Sequence, residues 1–229
     1  MLNLENRMKK YEEIFSYKLP DQVPIIIRVD GRSFHTMSKR YKWNKPFDLK
    51  FISNMKLITL ELCKEIMNVK LAYTQSDEIS LLLINYDSLE KESWFDNKIQ
   101  KICSISASIA TSKAYELFGY KLHFDSRCYT LPQHEVINYF IWRQHDWERN
   151  SLSMFARSFF SQKELNNKKK TEIHNMLHDI GQNWSKLSNE LKCGVSCIKD
   201  TSGVWKSITS PIFTKNRNFV NRFTNLKVE

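Results

Sequence analysis

Two short segments of this 229-residue chain carry carboxylates where the edge of a sheet would gather them. Arg28-Val29-Asp30-Gly31-Arg32 follows Ile25-Ile26-Ile27, a β-branched run that predicts a buried strand. Gln75-Ser76-Asp77-Glu78 precedes Ile79-Ser80-Leu81-Leu82-Leu83-Ile84, which predicts another. Asp30 is then expected where one strand ends, and Asp77 at the turn where the other begins. If the strands are neighbours, the two carboxylates meet, and they repel unless a cation lies between them. Hard oxygen donors suit Mg²⁺, which keeps open positions for water and phosphate oxygens. Two such ions beneath one triphosphate is the layout of in-line nucleotidyl transfer. The bland alternative is a common Asp-Gly turn and a solvated acidic corner.

Elements that would position these groups are legible on either side. Residues 4–15 predict an amphipathic helix, with Leu4, Met8, Tyr11 and Ile14 or Phe15 on one side. A strand is expected over 24–29, and a short helix over 33–38, capped near Gly31 or Ser33. Phe47, Phe51, Met55, Ile58, Leu62 and Ile66 recur at helical spacing and predict a long helix over 47–67. Residues 71–74 and 79–84 read as a hairpin around Gln75–Glu78. A second long helix, 97–118, is rich in Ala and Ser and ends at Gly119. Residues 123–129 alternate as a fourth strand, stopped by Pro132.

The resulting βαββαβ order over about 24–130 is the split-βαβ, ferredoxin-like plan of an α+β fold. In that plan the first and third strands are central neighbours, which brings Asp30 beside Asp77. Beyond it, 133–160 is mostly helical, and the remainder carries short strand-like pieces. The expected organisation is a palm-like catalytic unit with an N-terminal helix, 1–132. A helical and short-strand extension, 133–229, would pack on it for RNA binding and oligomerisation.

Composition narrows the class. Hydrophobic residues make up 41%, and Gly and Pro number only 5 each, which favours a globular fold of long regular elements over a loop-rich all-β one. Net charge is +10, from 35 Lys+Arg against 25 Asp+Glu, and points to a polyanionic partner. The segment from Lys192 onward interleaves Lys199, Lys206, Lys215, Arg217 and Arg222 with Trp205, Phe213, Phe219 and Phe223. Such mixing suits RNA, because bases stack on rings while cations neutralise phosphate; a solvated basic surface over core aromatics is the alternative. Five cysteines without a Cys-x-x-Cys pair, no signal peptide and no long apolar run predict free thiols in the cytoplasm, with the mitochondrion left open, and no membrane partner. His174, His178, Cys193 and Cys197 carry zinc-type donors, though the cysteine spacing is wider than zinc sites use.

Four motifs in order carry a resemblance. Arg28-x-Asp30-Gly31-Arg32-x-Phe34-His35, Lys45-Pro46-x-Asp48, Gln75-Ser76-Asp77-Glu78 and Trp142-Arg143-Gln144-x-Asp146 together resemble the tRNA-histidine guanylyltransferase superfamily, over about residues 5–200. Members are 3′-to-5′ RNA polymerases on a palm-like catalytic domain. The eukaryotic tRNA-histidine enzymes carry His-Ile-Asn-Asn-Leu-Tyr-Asn after the Trp-Arg-Gln element. Here the segment is Glu148-Arg149-Asn150-Ser151-Leu152-Ser153-Met154, in which only Asn150 and Leu152 agree. That departure resembles the guanylyltransferase-like branch, whose role is template-dependent repair of tRNA 5′ ends. Addition of a single G to tRNA-histidine is the competing role.

The resemblance implies two Mg²⁺ ions on Asp30 and Asp77, with the Gly31 carbonyl as a further ligand and Glu78 as a third catalytic carboxylate. One ion would lower the pKa of the attacking hydroxyl and the other would clamp the triphosphate. Glu78 points away from Asp77 in an extended segment, so a supporting role or a salt bridge stands beside that assignment. Arg32, Ser33, Phe34, His35, Lys45, Asp48 and Ser76 are the expected nucleotide-binding residues. For Phe34 a core ring, for Asp48 a helix N-cap and for Ser76 a turn cap are the alternatives. Arg28, Arg127, Arg143, Arg149, Asn150, Arg157 and Lys192 are the expected RNA contacts; Arg127 with Asp125 also reads as an ion pair. The implied partners are tRNA, with ATP and GTP or other nucleoside triphosphates as substrates, in a homotetramer. ATP would activate 5′-monophosphate ends by adenylylation. The rivals are a nucleotidyl cyclase, disfavoured by the basic aromatic tail, and a non-catalytic RNA-binding module, disfavoured by the absence of an RNP-like pattern.

Overall fold

The computed structural model describes residues 3–88 and 90–224. Residues 225–229 of the basic tail lie outside that range. Ile25-Ile26-Ile27 and Leu81-Leu82-Leu83-Ile84 are buried at every position. An uninterrupted apolar run in a strand requires cover on both faces, and that is how the sheet is built. Six strands, β1 Ile25–Gly31, β2 Val69–Gln75, β3 Glu78–Leu83, β4 Phe124–Thr130, β5 Val195–Lys199 and β6 Trp205–Thr209, lie in the order β4-β1-β3-β2-β5-β6. Every pairing is antiparallel.

The helices are α1 Leu4–Glu13, α2 Phe34–Arg40, α3 Leu49–Glu65, α4 Ile99–Phe118, α5 Val136–Ala156, α6 Gln162–Leu165, α7 Lys170–Asp179, α8 Asn189–Cys193 and α9 Asn218–Asn221. Helices α3 and α4 cover one face, where Met55, Ile58, Leu62, Ile102, Ala110 and Ala114 meet Ile25, Ile27, Val29, Ile79 and Leu81. Helix α5 covers the other, where Phe140 and Val136 meet Ile26, Leu82, Ile84 and Tyr73. The small residues of α4 let it lie close to the sheet. Gly119 closes it at φ 75°, a left-handed conformation that glycine adopts without strain.

Most predicted elements are present with shifted ends. The first strand runs two residues further than expected, so Asp30 and Gly31 lie within β1 rather than beyond it. Helix α3 begins two residues later than expected, after Asp48. The hairpin of β2 and β3 is tighter than expected, leaving only Ser76 and Asp77 as the turn. The first helix forms, but none of its residues is buried: Leu4, Met8 and Tyr11 stand in solvent. The strand-like pieces of the C-terminal segment are β5 and β6, which pair through β2 and continue the same sheet. Among the described residues no helix is long and apolar enough to cross a membrane.

Candidate active site

Register decides which carboxylates share a face. Asp30 on β1 pairs with Glu78 on β3 and with Asp125 on β4. Directly opposed residues of neighbouring strands project to the same side. That side is the α5 face, because Ile26 and Leu82, in the same alternation, pack into the α5 core. Glu78 therefore stands beside Asp30. Asp77 arrives from the turn: its carbonyl accepts the Gly31 N–H at 3.1 Å, which ties the end of β1 to the turn.

Gly31 is demanded by this closeness. A Cβ at that position would lie 2.4 Å from the Phe34 ring and 2.8 Å from the Asp77 Cβ. The Phe34 ring has no room to yield, since it is buried among Trp43, Phe51 and Phe124 with centroids 5.2–5.9 Å away. Of the two sequence readings of Phe34, the structure places it as a core ring. It anchors the segment while Arg32, Ser33 and His35 on either side remain exposed.

The carboxylates then divide by partner. Arg143 on α5 donates from Nε and Nη2 to the two oxygens of Glu78, at 2.6 and 2.7 Å, and from Nη2 to Asp146 at 2.9 Å. Desolvation works against the Arg143 charge, but Glu78 and Asp146 outweigh it and hold its pKa above the ordinary arginine value. Asp125 receives Arg127 at 3.1 Å. Asp30 and Asp77 form no ion pair among the described residues; the Asp77 carboxylate accepts the Ser76 hydroxyl at 2.9 Å. Burial, then the neighbouring Asp125, pushes the Asp30 carboxyl above its usual range. Burial pushes Asp77 up to about 6, with Asp30 adding to the rise and Ser76 opposing it.

This donor set fits a hard divalent cation. Two adjacent carboxylates have raised pKa values and no cation in contact, and Mg²⁺ is held by one or two carboxylates while phosphate and water complete its shell. Zinc-type coordination does not arise elsewhere. His174, His178, Cys193 and Cys197 do not assemble, as no group of three or more His, Cys, Asp or Glu side chains among the described residues is arranged for a metal. His174 packs edge-on to Trp184 at 5.7 Å, and Cys197 is buried in the core that also holds Cys63.

The pattern described as "tRNAHis guanylyltransferase" matches residues 5–132, more than half of the chain. The chain belongs to the tRNAHis guanylyltransferase family. A bacterial "tRNA(HIS) Guanylyltransferase (Thg1)-Like Protein", solved with ATP, is 40% identical with a TM-score of 0.94, and the match covers 98% of this chain and 100% of that one. A structure of such a bacterial protein with GTP, also 40% identical, superposes with a TM-score of 0.88 over 97% and 99% of the two chains. The "Probable tRNA(His) guanylyltransferase" of Dictyostelium discoideum is 37% identical over 157 residues, 62% of this chain but only 59% of that protein's length.

Several positions expected from family resemblance have other engagements. Asp48 caps α3, its Oδ1 accepting the Phe51 N–H at 2.8 Å and its Oδ2 the Asn44 N–H at 2.9 Å. Arg143 is 6% exposed and committed to its two carboxylates, so it is placed to support Glu78 rather than to face solvent. Arg149 extends that network to Asp146 at 2.7 Å, while Asn150 and Arg157 are exposed. Lys192 donates to the Ser185 carbonyl at 2.6 Å. Lys45 is exposed on the connection before α3. Arg28 keeps a buried Nε with no hydrogen-bond partner. The salt bridge that stood as the alternative for Glu78 forms, but its partners Arg143 and Asp146 were not predicted. Arg143 and Asp146 stand in the Trp-Arg-Gln motif, but nothing local in the sequence names Glu78 as their partner.

Proposed function

We propose that this protein is a nucleotidyltransferase that extends tRNA at its 5′ end in the 3′-to-5′ direction, pairing each added nucleotide with the opposing 3′ strand. The observation that carries this reading is the pair Asp30 and Asp77, tied together through Gly31 and left without a cation while the flanking Glu78 and Asp125 are each matched to an arginine. Similarity over nearly the whole chain to bacterial relatives bound to ATP and GTP supports nucleoside triphosphates as substrates.

Asp30, Asp77 and the Gly31 carbonyl would hold Mg²⁺, on the strands β4-β1-β3-β2 read as a ferredoxin-like palm. Bound there, the metal supplies charge neutralisation of the triphosphate and acidifies an attacking hydroxyl. The residues of this chain orient the reactants. Arg32, two residues past Asp30, and Lys45, both exposed, meet phosphate oxygens. Ser76 orients Asp77. Glu78, locked by Arg143, holds the end of β3 rigid. In the first reaction a 5′-monophosphate oxygen attacks the α-phosphorus of ATP, forming the adenylylated end and releasing pyrophosphate. In the second the 3′-hydroxyl of the incoming nucleotide attacks that 5′ phosphorus and AMP leaves. Pairing with the opposing base aligns this hydroxyl, and alignment supplies a large part of the rate.

Residues 1–132 form the catalytic unit in this reading, and 133–229 the extension that binds tRNA and contributes to a homotetramer. The replacement of the His-Ile-Asn-Asn element supports repair over G-specific addition. Where that element has its second Asn, Ser151 donates to the Leu191 carbonyl at 2.6 Å and receives the Trp184 indole N–H at 3.0 Å. The test uses four tRNAs lacking the first nucleotide and differing only in the opposing base, with Mg²⁺ and all four triphosphates. Each should gain the complementary nucleotide and stop when the stem is full. G added in all four supports the tRNA-histidine role instead; no addition removes the enzyme reading.

A further inference from the structure

The α5 face of β1 continues past Asp30 to Arg28, and above it stands Trp142, an indole that the fold leaves 51% exposed. Arg143 lies against that ring with Cζ 4.3 Å from its centroid, a stacking distance. Arg143 is itself buried, while half of the indole remains exposed. Tyr139 braces an edge at 6.0 Å. Trp142 is thus a rigid, half-covered aromatic platform rather than a loose surface ring.

Arg28 adds a second, independent observation. Its Cζ lies 5.9 Å from the Trp142 centroid. It sits opposite Arg127 on β4, but Arg127 is taken by Asp125. Arg143 is taken by Glu78 and Asp146. Among the described residues Arg28 forms no ion pair, is attracted through space to Asp30 and Glu78, and leaves a buried donor unmatched. A buried N–H without an acceptor is costly, and an anion arriving beside it relieves that cost. A cation seeking an anion and a π-face seeking a partner stand side by side, two residues along the strand from Asp30.

We propose that Trp142 and Arg28 form the subsite for the 5′-terminal nucleotide of the RNA. The terminal base stacks on the exposed part of the Trp142 ring, and Arg28 contacts the 5′-phosphate. This deepens the nucleotidyltransferase reading, on which the identity of the ligand rests. Any base offers a π-face, so such a platform accepts all four, as template-directed addition requires, while the phosphate is presented to Asp30.

The test measures binding without triphosphates, so it does not depend on catalysis. The probe is an acceptor-stem hairpin with a 5′-monophosphate, compared with one abasic at the 5′-terminal position. For the wild-type protein, loss of the base should weaken binding about tenfold, in the range of one stacked base. Trp142→Ala should bind the normal hairpin about tenfold more weakly and should no longer distinguish it from the abasic one. Trp142→Phe should keep most of the discrimination. Arg28→Gln should lose the preference for a 5′-monophosphate over a 5′-hydroxyl. ATP binding shows that each variant is folded. Equal discrimination by wild type and Trp142→Ala, or none by wild type, overturns the subsite. Nucleotide addition by a wild-type enzyme lacking the discrimination leaves the proposed function standing and removes the subsite alone. Discrimination without any addition does the reverse.

Discussion

A carboxylate inside a folded domain is normally matched to an arginine or lysine, and around β1 that match is made for Glu78 and Asp125 but not for Asp30 or Asp77. Asp30→Asn and Asp77→Asn should each reduce nucleotide addition more than tenfold while leaving hairpin binding nearly intact, since the candidate phosphate contacts lie on other residues. A variant keeping a tenth of the activity would count against the metal assignment. The same pair sets a pH dependence. The fold raises Asp77 from 3.8 to about 6, which corresponds to about 3 kcal/mol between its two protonation states. Because the folded pKa is the higher, this contribution favours the fold below pH about 4 and is lost as pH rises through about 6. In EDTA at pH 7.5, Asp77→Asn should therefore be more stable to urea than wild type, by about 1–3 kcal/mol. Adding Mg²⁺ should stabilise wild type and not the variant. The same gap at pH 4 as at pH 7.5 would show that ionisation of Asp77 is not its origin.

At the level of elements, the turn between β2 and β3 and the end of β1 must approach until their backbones bond. Gly31 permits it, and Gly31→Ala should disturb both stability and chemistry. Overpacking against Phe34 and the Asp77 Cβ should cost about 1–3 kcal/mol, read as a lower urea midpoint. Activity should fall further than that loss explains, because the two carboxylates are pushed apart. Helix α5 is fixed to the sheet by Arg143, whose partner Glu78 is nearly as buried. Arg143→Ala leaves a buried carboxylate unpaired and should cost about 3–5 kcal/mol, whereas the double variant Arg143→Met with Glu78→Gln should recover most of that loss. Additive effects of the two substitutions in a double-mutant cycle would show that the pair is not coupled.

For the whole molecule, one face of the sheet carries α3 and α4 and the other α5, while α1 has no buried residue and, with the two residues after it, leaves Leu4, Met8, Tyr11, Ile14 and Phe15 exposed. Apolar side chains in such a row are the kind of surface that subunits bury. In the proposed homotetramer α1 would lie at a contact between copies. Deleting residues 1–16 should lower the mass found by light scattering and leave the circular dichroism of the sheet unchanged. A full-length chain that is monomeric at assay concentrations would contradict this.

The strands came out of the sequence because Ile25–Ile27 and Leu81–Ile84 are apolar without interruption, and the long helices because Phe51, Met55, Ile58 and Leu62 repeat at helical spacing. Those are local patterns, and the physics behind them is local: a buried strand and an amphipathic helix each need a run of suitable side chains. The meeting of Asp30 with Asp77 was also legible, since the βαββαβ order makes β1 and β3 neighbours. What the sequence could not decide was which charges would be neutralised. Glu78 and Arg143 are 65 residues apart, and they meet only because α5 packs on the face to which the β1–β3 register turns Glu78. Phe34 became a core ring rather than a pocket wall because Trp43, Phe51 and Phe124, from three other segments, close around it. The joining of β5 to β2 likewise needed an edge that β2 offers only once β3 has taken its other side. Local pattern fixed the elements and brought the acids to one edge; packing between distant segments chose the two that were left without a cation.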